Sequence, residues 1–241
     1  MSLRHGARAC LYCKCAEAIL FFGTKFCPHW LAVMAVSVNT WSQLLGEHGM
    51  SEHRIIDGID YGPLVGLIGT WKGDQGRDTS PEPDGDEYNP YYETIAFSAA
   101  GDVTNAEEQT LSIVRYHQQV SRKSNDELFH EQVGFWLWDP TDNTIIETFT
   151  IPRGLALVAG GVAAPAAAGD EVVLSVSAAA DDPDWGISQF LFLRKRARTE
   201  RFEHRVSVQG DRMNYHQTTF LDIYGRKFDH TDRNELTRLA T

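Results

Sequence analysis

Hydrophobic and polar positions alternate at every second residue over much of the chain beyond Leu67. The pattern is plainest in Val172, Leu174, Val176, in Phe202, His204, Val206, Val208, and in Met213, Tyr215, Gln217, Thr219, Leu221. A period of two puts each set on one face of a β-strand. No long stretch carries the 3.6-residue period of an amphipathic helix. The pattern predicts ten strands, near 67–76, 91–98, 107–119, 127–138, 144–151, 154–160, 171–179, 188–197, 200–208 and 212–223.

The residues between these runs are turn formers: Gly101-Asp102, Ser124-Asn125-Asp126, Asp139 to Asn143, Gly169-Asp170 and Gly210-Asp211. Such residues accept tight or left-handed backbone at low cost, so neighbouring strands are expected to join as hairpins. A meander of ten strands leaves two raw edges unless it closes, and closure removes them. The expected fold is therefore all-β: a ten-stranded antiparallel up-and-down β-barrel, with a short helix from Asp60 to Leu67 plugging one end. With more than eight strands the interior is too wide for side chains alone to fill, so a ligand cavity is expected.

Residues 1–58 read as a poorly ordered leader ahead of a barrel domain over 59–241. Met34 and Met50 stand as alternative starts, and Met50 opens a run leading straight into the domain. The apolar runs Ala18 to Phe22 and Leu31 to Val38 are interrupted by Lys25, Pro28 and His29, well short of the ~20 apolar residues a membrane span needs. Cys10, Cys13, Cys27 and His29 have a loose zinc-ligand spacing, with a second pair tighter than that of ordinary fingers. No histidine completes a C-x-x-C-H motif after Cys13, so any haem is expected to be held without covalent links. All four cysteines precede the barrel, which points to a reducing, cytoplasmic setting.

The net charge of -11 is carried by the barrel, because residues 1–49 hold Arg4, Arg8, Lys14 and Lys25 against Glu17 and Glu47. An acidic domain argues against nucleic-acid partners. The one basic cluster, Arg194, Lys195, Arg196, Arg198 and Arg201, is expected to flank a hairpin turn. No nucleophile elbow, P-loop or dinucleotide fingerprint occurs.

Several motifs occur in order along the chain: Gly69-Thr70-Trp71-Lys72-Gly73, Tyr92-Glu93-Thr94-Ile95 with Phe97, Phe129-His130-Glu131-Gln132-Val133-Gly134-Phe135-Trp136, Pro152-Arg153-Gly154, and a late His230. In this the chain, from about Pro63 to Leu239, resembles the nitrobindin family of fatty-acid-binding-protein-like haem barrels. The resemblance implies a ten-stranded barrel with a non-covalent ferric haem b at one open end, held by a histidine near the C-terminus. It also implies nitric oxide binding and isomerisation of peroxynitrite to nitrate. On this basis His230 is the expected iron ligand, oriented by Asp229 or Asp232, with Thr79, His130, Phe129, Trp71 and Arg153 around the cofactor. Arg226 and Lys227 are further candidates for the propionates. Read without the resemblance, His230 is a loop residue, His130 a satisfied barrel histidine and Trp71 a core indole at a strand bend.

Four features depart from the family pattern. Its G-x-W-x-G-x-G becomes Gly69-x-Trp71-x-Gly73-x-x-Gly76, and a Tyr-Pro-Thr element gives way to the acidic stretch Arg77 to Pro90. Arg153 replaces a threonine, and Gly225 to His230 is one residue short. Two other readings stay open. One is a non-enzymatic carrier of a fatty acid or other small apolar ligand, and the other is an interaction domain whose lumen is filled by Phe129, Phe135, Trp136, Trp138, Phe190 and Phe192. The oligomeric state is open, a homodimer included.

Overall fold

The computed structural model describes residues 54–164, 166 and 169–240, so the cysteine-rich segment and its zinc-like spacing lie outside the described residues. At the start of the described residues, β1 (Ile55–Ile56) pairs with β2 (Ile59–Asp60) in a small hairpin. A 3-10 helix, Gly62–Leu67, follows with Pro63 in its first turn.

Ten strands then close into one antiparallel ring. They are β3 (Gly69–Glu82), β4 (Gly85–Asn105), β5 (Gln109–Arg122), β6 (Leu128–Asp139), β7 (Thr144–Ile151), β8 (Leu155–Val162), β9 (Val172–Ala179), β11 (Ala197–Gln209), β12 (Arg212–Ile223) and β13 (Arg226–Arg238). The short β10 (Ile187–Gln189) lies outside the ring, paired with the first half of β8. The helical turn α1 (Leu191–Arg196) follows it.

Ten strands were expected, yet two of the memberships differ. The expected strand at 188–197 is β10 followed by α1, so the basic cluster begins on a helical turn instead of flanking a hairpin. The tenth barrel strand is β13, which the alternation did not reveal and which carries His230 in regular strand geometry.

One end of the barrel is shut by the 3-10 helix, whose Leu64 and Leu67 are fully buried. Gly62, at φ +52°, lies against the Trp138 ring, where a Cβ would come within 2.5 Å. Trp71 belongs to this closed end. It is fully buried, donates from Nε1 to Leu67 O at 2.7 Å and is covered by the Arg238 guanidinium at 4.2 Å. The lumen is not packed by the six aromatics: Phe135, Phe190 and Phe192 are exposed, while Trp136 and Trp138 belong to the buried core.

The ring closes at its narrowest seam, β8 against β9, where Gly160 pairs with Ser177. A Cβ on Gly161 would meet the Ser175 carbonyl at 2.0 Å, and one on Gly160 the Trp185 ring at 2.2 Å. Only hydrogen at Gly161 lets the two backbones approach this closely, and only hydrogen at Gly160 leaves room for the Trp185 ring. Gly161→Ala is therefore expected to lower stability by about 1–3 kcal/mol, as overpacking does. A lowered melting temperature by circular dichroism checks this, and an unchanged one shows that the seam tolerates separation.

Candidate functional site

The open end of the barrel holds a cavity of about 420 Å3, within the range of small-molecule and cofactor sites. One wall is apolar, built from Phe149, Ile151, Leu155, Leu157, Phe202 and Leu221. The facing wall and floor are polar, with Asp78, Tyr91, Gln118, Gln132, Tyr215 and Asp232 among their residues. His230, His130, Phe129 and Arg153 all line this space; Thr79 and Trp71 do not. Trp71 sits at the plugged end, as its bond to Leu67 O requires. Thr79 is in the strand between Asp78 and Ser80, both of which line the cavity, so alternation turns its side chain outward.

The centre of the polar wall is His230. Its Nε2 lies 2.6 Å from Asp78 Oδ1 and 3.6 Å from Asp232 Oδ2. Asp78 is in turn held by Asn89 Nδ2, which donates to its Oδ2 at 3.0 Å. Asp229, expected as an orienting partner, is exposed on the other face of β13. Strand geometry explains the grouping, because β13 pairs with β3 so that Asp232 lies opposite Asp78. A two-residue turn at Tyr224-Gly225, with φ of 55° and 77°, starts β13 directly after β12.

Burial disfavours the charged form of His230, but the hydrogen bond it donates to Asp78 and the charges of Asp232 and Asp78 outweigh it and raise its pKa. Burial also works against the Asp78 carboxylate, yet the His230 contact, with Asn89 and Ser80, holds its pKa below the usual value. Asp232, taken out of water beside these groups, is pushed up to about 7. His130 behaves oppositely to His230: burial, aided by the charges of Arg153 and His230, lowers it to about 4.

Beneath this trio lies a second buried network. Glu93, 2% exposed, accepts from Gln118 Nε2 at 2.6 Å, Asn234 Nδ2 at 2.7 Å and Tyr215 OH at 2.9 Å. Tyr91 and Tyr215 share a 2.6 Å hydroxyl contact. Glu147, fully buried, accepts from Tyr116 OH and meets His204 Nδ1, each at 2.8 Å. Asp78, Tyr91, Gln118 and Tyr215 were not singled out from sequence. Their signal is a polar residue at an inward strand phase.

A closed barrel with one plugged end and one open, half-polar cavity defines the class: a β-barrel binder of small molecules. The chain belongs to the family of THAP4-like, heme-binding beta-barrel domains, the nitrobindin family, whose model matches residues 60–238. A solved structure, "Crystal Structure of Rv2717c from M. tuberculosis", is similar in fold, with a TM-score of 0.54 and 19% identity over 73% of this chain and 95% of that one. No curated protein matches the chain in sequence. Among the described residues no helix is long and apolar enough to cross a membrane.

The two cavity histidines should titrate on opposite sides of the ordinary 6.5. In an NMR titration the His130 ring is expected to take its proton only near pH 4, and His230 to keep its proton above 6.5. The signs for stability follow from linkage. The unfolded chain protonates His130 first, so its contribution is lost as pH falls from 6.5 towards 4. The His230 contribution is complete below 6.5 and is lost as pH rises through its raised folded value. His130→Gln should flatten the acid side of the urea-midpoint profile, and an unaltered acid side contradicts the assignment.

Proposed function

We propose that the open-end cavity binds ferric haem b non-covalently, with His230 as the iron ligand. The observation that carries this is the cavity itself: an imidazole on its polar wall faces an apolar wall formed by β7, β8, β11 and β12. The donor set fits the group. Phe149, Phe202 and the leucines offer a dry surface to a porphyrin face, while Arg122 and Arg153 are cavity-lining cations suited to propionates. Haem held there by His230 would supply Lewis acidity for the isomerisation of peroxynitrite to nitrate and a site for nitric oxide.

The chain's own residues set the conditions for ligation. Ligation needs a neutral imidazole with a free nitrogen, and Asp78 occupies Nε2. Ligation through Nε2 would displace Asp78, whereas ligation through the other ring nitrogen would keep that contact; either way the extra proton that Asp78 favours on the ring has to leave. His130, held neutral by burial, adds a second imidazole to the lining without adding charge. No acid or base is assigned to a proton transfer.

A hemin titration followed in the visible range is expected to give a Soret band that His230→Ala abolishes. With Nε2 as the ligand atom, Asp78→Ala removes a charge-assisted bond of about 1.5–3 kcal/mol and should tighten hemin roughly tenfold to a hundredfold. Weaker binding in that variant would show instead that Asp78 supports the ligand.

The second reading is a carrier of a small apolar molecule without iron. It draws on the same contact, because an imidazole paired with the Asp78 carboxylate needs no metal. Absence of a Soret band from the folded protein, with displacement of an apolar fluorophore by a fatty acid, favours it over haem.

A further inference from the structure

The mouth of the cavity carries a surface that the proposed function does not use. Phe190, Leu191 and Phe192 are three consecutive large apolar residues, 52%, 56% and 61% exposed. The two phenylalanine rings stack at 6.3 Å, and α1 has no buried residue at all. Proteins seldom leave such a run in water without a use for it. Arg194, Lys195 and Arg196 come next on the same turn, all exposed and in no ion pair among the described residues. Phe190 rests against Gly154, beside Arg153, and Tyr224 adds a further exposed ring at the rim.

We propose that this rim, Phe190 to Arg196 with Tyr224, docks the barrel on an anionic lipid bilayer, apolar rings inserted and cations on the headgroups. The inference is independent of what the cavity holds. Aromatic and aliphatic side chains beside Arg and Lys are the composition that seats a protein in a membrane interface, and each cation near an acidic surface adds attraction. The rest of the chain makes the rim directional. With a net charge of -11, most faces of the protein are repelled by acidic headgroups, so the rim is the face presented to them.

Charge also argues against the other occupants. A symmetric contact with a second copy sets one basic triplet against another. Residues 1–49 hold four Lys and Arg against two Glu, so that segment does not neutralise the rim. Leu193, on the same turn, lines the cavity. A ligand leaving the bilayer through this rim would pass from hydrocarbon to the apolar wall with little exposure to water.

Co-sedimentation of the full chain with vesicles tests the proposal. Binding is expected to phosphatidylcholine vesicles containing phosphatidylserine, to be far weaker with phosphatidylcholine alone, and to fall at high salt. Arg194→Glu with Lys195→Glu and Arg196→Glu should weaken it roughly a hundredfold or more, and Phe190→Ser with Phe192→Ser should abolish sedimentation. None of these five side chains lines the cavity, so hemin or fluorophore binding and the thermal melt should stay as in the wild type. No sedimentation of the wild-type chain overturns the proposal. So does sedimentation of both variants as strong as wild type, or a concentration-dependent dimer that the phenylalanine changes dissolve.

Discussion

Ring closure is the constraint on which everything else rests. Ten strands enclose more width than aliphatic side chains can fill, and the ring shuts where Gly161 lets β8 meet the β9 backbone at Ser175 and Gly160 makes room for the Trp185 ring. The excess width is taken up differently at the two ends. At one end Leu64, Leu67 and Trp71 plug it; at the other it remains a cavity. The middle is filled by two buried carboxylates, Glu93 and Glu147, each satisfied by three or two neighbours. A buried carboxylate is tolerable only with such partners. These bonds tie β4 to β5, β12 and β13, and β7 to β5 and β11, so the floor of the cavity is cross-braced through the lumen as well as around the wall.

The bracing gives His230 its fixed place. Asp78, Asp232 and the imidazole form a compact cluster within 4.8 Å, set above the Glu93 network and opposite the apolar wall. Such a cavity sorts ligands by shape and polarity together: one flat apolar face, one edge able to meet an imidazole, and charges at the mouth. Haem satisfies each condition, and a fatty acid satisfies the first and last. Whether a ligand meets Nε2, which Asp78 holds, or the other ring nitrogen is the local feature that separates them.

The sequence made some of this legible and hid the rest for physical reasons. On β9 and β11 the inward positions are apolar, so Val172, Leu174, Val176 and Phe202, Val206, Val208 announce their strands. On β13 they are Phe228, His230, Asp232, Asn234 and Leu236. The lumen they face is polar, so hydrophobic alternation cannot reveal the strand. The converse error came from Phe190 to Leu193, whose apolar run reads as strand although it is exposed on a helical turn at the rim. Periodicity reports which residues are apolar, and here the usual link between apolar and inward fails at both the site and its mouth.

The exchange of Thr79 for Asp78 has a cause that a single glycine records. Between Gly73 and Gly76 the pairing of β3 with β4 slips: Gly73 lies opposite Glu93 and Gly76 opposite Tyr91, three residues against two. The same slip appears against β13. One extra residue at Asp74-Gln75 is thus absorbed as a β-bulge, steadied by the Asn234 side chain accepting from Gln75 N at 3.1 Å. A one-residue slip turns every later side chain to the other face. Counting inward from Trp71 and Gly73 without it leads to 75, 77 and 79; with it, to Gly76, Asp78 and Ser80, which is what the cavity shows. The displaced glycine of Gly69-x-Trp71-x-Gly73-x-x-Gly76 is therefore more than a blemish in a motif. It exchanges a hydroxyl for a carboxylate beside His230, and with it brings the charge that favours the protonated ring.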